Sequence, residues 1–420
     1  MNFLANDYVK IYESEQPDSV FTYTPGICVL PGGRLLATMD LGGPGVKSFP
    51  NAALIGGGHY TVGKAFVSDD KGKTWKHICD FPFCHARPFT AGNSVYILGQ
   101  ADDLYVIRSD DNGETWSKTF PLTEGENWHQ SACSLWYRED RIYLVMERKT
   151  LREGEKDWGW PVCYLAPILM RAKVTDDLTC RDSWTFASEL RFVDAVNEDL
   201  LDFHGIPFYT SYGHEGKTQK EETLSQPVGW LETNVVQIMD EKNYWYDGTG
   251  RTFHLFMRAN TSGTGYCAVA KVVEQEDGTM ETSLVENPSG RKIVFMPMPG
   301  GQMRFHLLYD SVTCLYWLLS TQAVDSMTQI RFLSEERYNI PCDERQRMQL
   351  SFSKNCVDWC FAGMVASGAS EKQSRHYGAM AIDGDDLVIV SRSGDEKAQS
   401  AHNVNFISFH RVKDFRSLVY

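Results

Sequence analysis

The chain has 420 residues, 12% of them aromatic, with 34 glycines and a formal net charge of −14 at pH 7. That length fits one large all-β domain or two smaller ones, and it can bury a core without covalent staples. The acidic balance excludes a nucleic-acid partner held by a basic surface, and an acidic ligand would need a locally basic pocket.

No apolar run approaches the roughly 18 residues of a membrane helix, so no membrane partner is expected. The segment Met1 to Tyr8 has neither a basic nor an apolar leader pattern. The 11 cysteines are odd in number and lack paired C-x-x-C spacing, which fits reduced thiols. The expected location is cytoplasmic in a bacterial-type cell, or secreted or periplasmic if a leader has been removed. No metal or other cofactor is expected: Asp102-Asp103 and Asp385-Asp386 read as turn aspartates, and Pro299-Gly300-Gly301 precedes a strand, so it is no phosphate cradle.

In chain order, a short strand at Tyr8 to Tyr12 precedes a hairpin, Thr22 to Leu30 and Arg34 to Met39, turned by Pro31-Gly32-Gly33. The same grammar returns at Arg87 to Thr90 with Ser94 to Gly99, at His129 to Tyr137 with Arg141 to Glu147, and at Glu232 to Met239 with Arg251 to Arg258. It returns again at Arg304 to Tyr309 with Cys314 to Ser320, and at His376 to Ile382 with Asp385 to Ser391. Each hairpin is followed by a second β pair, so the six units predict an all-β, six-bladed propeller spanning residues 1–420 as one domain. A seven-bladed ring is the alternative, because the long gap between the third and fourth hairpins has room for another blade. That gap holds a polar stretch, Asp199 to Pro227, which reads as an insertion loop over one face. The last strand, 405–412, needs an outer partner, and the strand at 8–12 can supply it and close the ring.

Two eight-residue turns stand out: Ser68-Asp69-Asp70-Lys71-Gly72-Lys73-Thr74-Trp75 and Ser109-Asp110-Asp111-Asn112-Gly113-Glu114-Thr115-Trp116. Ser and Asp side chains bond backbone N–H groups further along, Gly supplies a positive φ, and Trp packs beneath. Each follows a strand, so each caps a hairpin and reads as structural. Weaker versions lie at Asp177 to Trp184 and Ser353 to Trp359.

In a propeller the innermost strands start around the axis, and residues there converge on one mouth. Those starts carry Tyr23; His85 and Arg87; Trp128 and His129; Glu232; Gln302, Arg304 and His306; and Arg375, His376 and Tyr377, with Arg258 at the end of the fourth inner hairpin. Several arginines in one pocket imply an anion, and guanidinium forks match a carboxylate.

The two octets and the blade count resemble the sialidase superfamily, also known by its Asp-box or BNR repeats. The runs Ser391 to Asn403 and Phe409 to Arg416 are also similar to bacterial sialidase-like proteins. The resemblance implies removal of a terminal sialic acid with retention, three arginines on the sugar carboxylate, a tyrosine nucleophile activated by a glutamate, and an aspartate acid/base. Carried over by blade, it implies roles for Glu232 and Arg258, for Arg304, and for Tyr377 as nucleophile. Two features depart from the pattern. The first blade reads Tyr23-Thr24-Pro25-Gly26-Ile27 where the family has Arg-Ile-Pro, and no aspartate stands out in the second blade, where His59 and His85 occur instead. In this the chain resembles divergent propellers acting on rhamnosyl-glucuronate caps, and ulvan-type lyases that pair His and Tyr with an Arg.

The expected function is therefore a sialidase-like glycosidase acting on a small acidic oligosaccharide. His85, His129, Glu232 and Tyr377 are the candidate catalytic residues. Tyr23, Arg87, Trp128, Arg258, Arg304, His306, Arg375 and His376 are the candidate binding residues. The alternatives are a β-elimination lyase on uronate-containing oligosaccharides, a non-catalytic glycan-binding propeller using Trp128, Trp158, Trp160, Trp230 and Tyr212, and a scaffold protein. Composition leaves the oligomeric state open.

Overall fold

The computed structural model describes residues 2–156, 162–197, 228–261, 265–328, 332–334 and 343–420. Six antiparallel sheets form the blades of a propeller. The first blade is built from Phe21–Val29, Leu35–Gly42, His59–Ser68 and Lys76–Phe81, and the second from Cys84–Ala91, Ser94–Ala101, Asp103–Ser109 and Phe120–Pro121. The fourth runs through Gly229–Val236, Thr252–Asn260, Tyr266–Glu274 and Met280–Glu286, and the fifth through His306–Asp310, Leu315–Thr321, Arg347–Ser353 and Cys360–Ser367. Arg375–Asp383, Asp386–Ser393 and Phe406–Val412 make most of the sixth, and Val9–Glu13 adds its outer strand, pairing Val9 with Phe409 and Glu13 with Phe406. Among the described residues the one α-helix is Phe192–Ala195. The expected insertion loop Asp199 to Pro227, Tyr212 within it, and Trp158 and Trp160 lie outside the described residues.

The third blade departs from the simple pattern. Its inner strand is two short pieces, Trp128–His129 and Trp136–Arg138, both paired to Arg141–Lys149. Between them, side chains replace the ladder. Gln130 accepts from the N–H of Ser131 at 2.7 Å and donates to the carbonyls of Val145 and Thr233 at 3.1 and 3.2 Å. Arg87 donates to the carbonyls of Val145 and Ser131, both at 3.1 Å, and Arg304 donates to that of Ala132. Buried carbonyls left without strand partners need such donors.

Alternating apolar residues fill each interface between neighbouring blades. Leu36 and Val67 pack with Ile97 and Ile107 between the first two blades, and Leu35, Met39 and Val62 meet Val388, Val390 and Ile407 where the ring closes. The two octets are hairpin turns as expected. In the first, Ser68 Oγ accepts the Gly72 N–H at 2.8 Å, Asp70 accepts the N–H and hydroxyl of Thr74 at 2.9 and 2.7 Å, and the Trp75 indole donates to the Gly72 carbonyl at 3.2 Å. The second octet repeats each of these bonds. Trp75 packs on Phe409 with ring centres 5.3 Å apart, so this turn reaches across the closure.

Gly72 (φ 87°) and Gly32 (φ 82°) share a left-handed backbone, but a Cβ on Gly72 would sit 2.1 Å from the Phe409 ring, whereas Gly32 has open space. Gly32→Ala should therefore cost roughly 1–2 kcal/mol, the backbone term alone. Gly72→Ala should cost about 2–4 kcal/mol because the ring must also shift. Denaturant unfolding of the two variants checks the difference.

Candidate active site

Inner and second strands of a blade are antiparallel, so the start of one and the end of the other meet at the same edge. Register places Tyr23 beside Asp40, Cys84 beside Gln100, His129 beside Glu147, Leu231 beside Arg258 and His376 beside Arg392. In the second, fourth and sixth blades the inner ladder also skips, between Cys84 and Arg87, Leu231 and Asn234, and His376 and Ala379. At each skip a non-glycine residue takes a left-handed φ: His85 at 53°, Glu232 at 58° and Tyr377 at 52°. A bulge of this kind re-aims a side chain. Left-handed backbone in such residues costs energy and concentrates at functional sites. Here the three bulged residues all line one cavity of about 830 Å³ at the mouth of the ring.

On its floor, the Tyr377 hydroxyl donates to Glu232 Oε1 at 2.5 Å. Arg258 Nη1 donates to Tyr377 Oη at 2.9 Å and to Glu232 Oε2 at 3.3 Å. Two more guanidinium groups, Arg345 and Arg392, lie 5.6 and 5.2 Å from the Tyr377 ring centre. Arg392 also stacks 4.2 Å above the Tyr23 ring, and the Tyr23 hydroxyl donates to Asn403 Oδ1 at 2.7 Å. Asp343 pairs with Arg345 through Nε, and His376 Nδ1 lies 3.2 Å from Arg345 Nη1. Burial and the Glu232 charge raise the Tyr377 phenol, while the three arginines pull it back. Burial and then Arg345 lower the Arg392 guanidinium to about 10.

Asp40, His85 and His129 also line the cavity. Burial pushes the Asp40 carboxyl up to about 7, against the His85 N–H, which donates to it at 3.1 Å, and the Arg392 charge. Burial, reinforced by His129 and Arg392, pushes His85 well below the usual histidine range, so it is neutral at pH 7. Gln100 Nε2 lies 2.6 Å from His85 Nδ1 and also donates to the Gln130 carbonyl at 3.3 Å. That amide is therefore the donor, and the imidazole proton sits on Nε2. The His85 and His129 rings meet edge to face at 5.1 Å, and His129 Nδ1 faces Glu147 Oε2 at 3.2 Å. Among the described residues no group of three His, Cys, Asp or Glu side chains is arranged to hold a metal.

The structure thus brings together Tyr23, His85, His129, Glu232, Arg258 and Tyr377 from the residues expected at the mouth. Arg87 and His306 line a separate cavity of about 430 Å³. Arg304 is 1% exposed and donates to the carbonyls of Tyr377 and Ala132. Arg375 donates to the carbonyls of Ser374 and Gly394, both at 2.7 Å, and lies over Tyr8 and Phe406. His376 is fully buried behind Arg345. Trp128 is 4% exposed, packed edge-on against Phe186, and Trp230 is fully buried. Asp40, Glu147, Arg345 and Arg392 are the charged residues that the sequence reading passed over. Asp40, Glu147 and Arg392 share a signal: each is a charge within the last three residues of a second strand, after a mostly apolar run.

The electrostatics give a pH dependence of stability. The native state keeps the Asp40 proton up to about pH 7, whereas an unfolded aspartate releases it near pH 4. Stability is fully present below about pH 4 and falls as pH rises through about 7, by at most a few kcal/mol. Asp40→Asn should flatten that slope, which thermal melts between pH 4 and 8 would read.

No protein-family model and no curated protein sequence matches the chain. Solved structures do match in three dimensions. A Hadza microbial sialidase superposes with a TM-score of 0.56 at 13% identity, over 98% of this chain and 69% of that one. The NanB sialidase of Streptococcus pneumoniae gives 0.54 at 9%, over 97% and 71%. An α-L-arabinanase of Penicillium chrysogenum, complexed with arabinobiose, gives 0.51 at 12%, over 99% of both chains. The chain shares its six-bladed, sialidase-like propeller fold with these proteins.

Proposed function

We propose that the chain is a glycoside hydrolase that removes a terminal sugar at a bond involving a carboxylate-bearing unit. The observation that carries this reading is the Tyr377–Glu232 pair at 2.5 Å, ringed by Arg258, Arg345 and Arg392 on the cavity floor. A phenol bonded to a carboxylate is an activated nucleophile: Glu232 takes the proton as Tyr377 Oη attacks the anomeric carbon. The guanidinium groups would clamp the sugar carboxylate and fix the ring over that oxygen. Proton delivery to the leaving oxygen falls to Asp40 or His129, which line the same cavity. Asp40 is held protonated into the neutral range there, and His129 is backed by a buried carboxylate. The fold supports the reading, since the structures it matches include sialidases and an arabinanase bound to a disaccharide.

The His129–Glu147 pair favours a second reading, β-elimination on a uronate. The arginines would neutralise the carboxylate, His129 would take the C5 proton, and the glycosidic oxygen would leave with a proton from the site, giving an unsaturated uronate.

The test is a screen of the purified protein against acidic oligosaccharides, following released sugar by chromatography and unsaturated product by ultraviolet absorbance. Released sugar without absorbance is the expected result; absorbance would select elimination, and no product from any acidic glycan would overturn both. On a substrate so found, Tyr377→Phe should lower kcat by roughly 10³-fold or more. Arg345→Ala should lower kcat/KM by roughly 10²-fold, mostly through KM. Activity that depends on protonated Asp40 should fall above about pH 7, and Asp40→Asn should remove that limb.

A further inference from the structure

We propose that Glu147 is a positioning residue serving two groups of the site: one of its oxygens fixes the bulge that aims Glu232, and the other fixes the tautomer of His129. The inference deepens the functional reading above and rests on it for the roles of His129 and Glu232.

Glu147 stands near the end of the second strand of the third blade, opposite His129 in register, and its side chain is fully buried. Oε1 accepts both the N–H and the hydroxyl of Thr233, at 2.9 and 2.7 Å. Thr233 follows Glu232 in the fourth-blade bulge, where the ladder skips from Leu231 to Asn234. Its N–H is thus satisfied by a carboxylate from the neighbouring blade and not by a strand, as a buried N–H requires. The bond anchors the extra residue beside Glu232, whose left-handed φ of 58° points its carboxylate at Tyr377.

Oε2 faces His129 Nδ1 at 3.2 Å. An ionised carboxylate only accepts, so Nδ1 carries the hydrogen, and Nε2, the ring's other nitrogen, is the one able to take a proton in the neutral ring. The same negative charge stabilises the imidazolium formed when it does so. A merely structural bond to Thr233 would need only an acceptor, which glutamine also provides. In Glu147→Gln, with its oxygen on Thr233, the amide NH₂ would face His129 and donate to Nδ1. The ring proton would then move to Nε2 with almost no change of shape.

The experiment is ¹⁵N NMR of the histidine rings in the full-length protein at neutral pH, assigned by comparison with His129→Asn, for wild type, Glu147→Gln and Thr233→Val. The expected result is Nδ1–H in the wild type and in Thr233→Val, and Nε2–H in Glu147→Gln. On any substrate found, kcat of Glu147→Gln should fall about tenfold or more with KM within about twofold. An Nε2–H ring in the wild type, an unchanged tautomer in Glu147→Gln, or an inverted tautomer with undiminished kcat would overturn the proposal. Should Glu147→Gln fail to fold, the wild-type and Thr233→Val spectra still decide it. A protein that turns over no acidic glycan yet shows the tautomer inversion would sink the functional reading and leave the role of Glu147 in orienting His129 standing.

Discussion

The hydrogen bond between Tyr377 and Glu232 joins the sixth and fourth blades, and much of the inner architecture serves to hold its two ends in place. Both residues sit in left-handed backbone at a bulge, a conformation that costs each roughly 1–2 kcal/mol. The surroundings over-determine it. Arg304 holds the Tyr377 carbonyl and, with its other arm, the Ala132 carbonyl of the irregular third blade. Arg87 holds Ser131 and Val145 in the same blade, and Glu147 holds Thr233 beside Glu232. The buried arginines below the floor are struts, and the strained backbone is what they support.

Electrostatics then sets the chemistry of the cavity. On the floor, three guanidinium groups share a phenol and the nearby carboxylates of Glu232 and Asp343. Burial there is costly enough to depress Arg392 to about 10. A ligand carboxylate would offset that like-charge crowding, which supports the acidic substrate proposed above for a protein that is acidic overall. At Asp40 and His85, burial acts in opposite chemical senses: it keeps Asp40 protonated into the neutral range and keeps His85 unprotonated.

How much of this was legible in the sequence follows from strand geometry. Hairpins with Gly turns and two octets read out as six blades because turn chemistry is local. The mouth read out in part because inner-strand starts are easy to mark. Tyr23, His85, His129, Glu232 and Tyr377 came from that rule, with Arg258 from the end of a second strand. Applied to every blade, that second-strand rule also yields Asp40, Glu147 and Arg392, each within the last three residues of its strand, Leu35–Gly42, Arg141–Lys149 and Asp386–Ser393. Arg345 was not legible: it sits in the run Asp343-Glu344-Arg345-Gln346-Arg347, which reads as solvated surface, yet it is only 6% exposed. Arg304 and Arg375 carry the same charge at similar positions, but the pleat turns them onto carbonyls and aromatic rings. Sequence marks where a strand begins. Which side of a bulge a side chain emerges from is decided by tertiary contacts.

The central claim is that the cavity recognises a carboxylate beside Tyr377. Calorimetric titration of matched monosaccharides, glucuronate against glucose and sialic acid against its methyl ester, tests it most directly. The account predicts binding of the two carboxylates, with the neutral partners at least about tenfold weaker, a loss of some 1.4 kcal/mol. Equal affinity within each pair would contradict it.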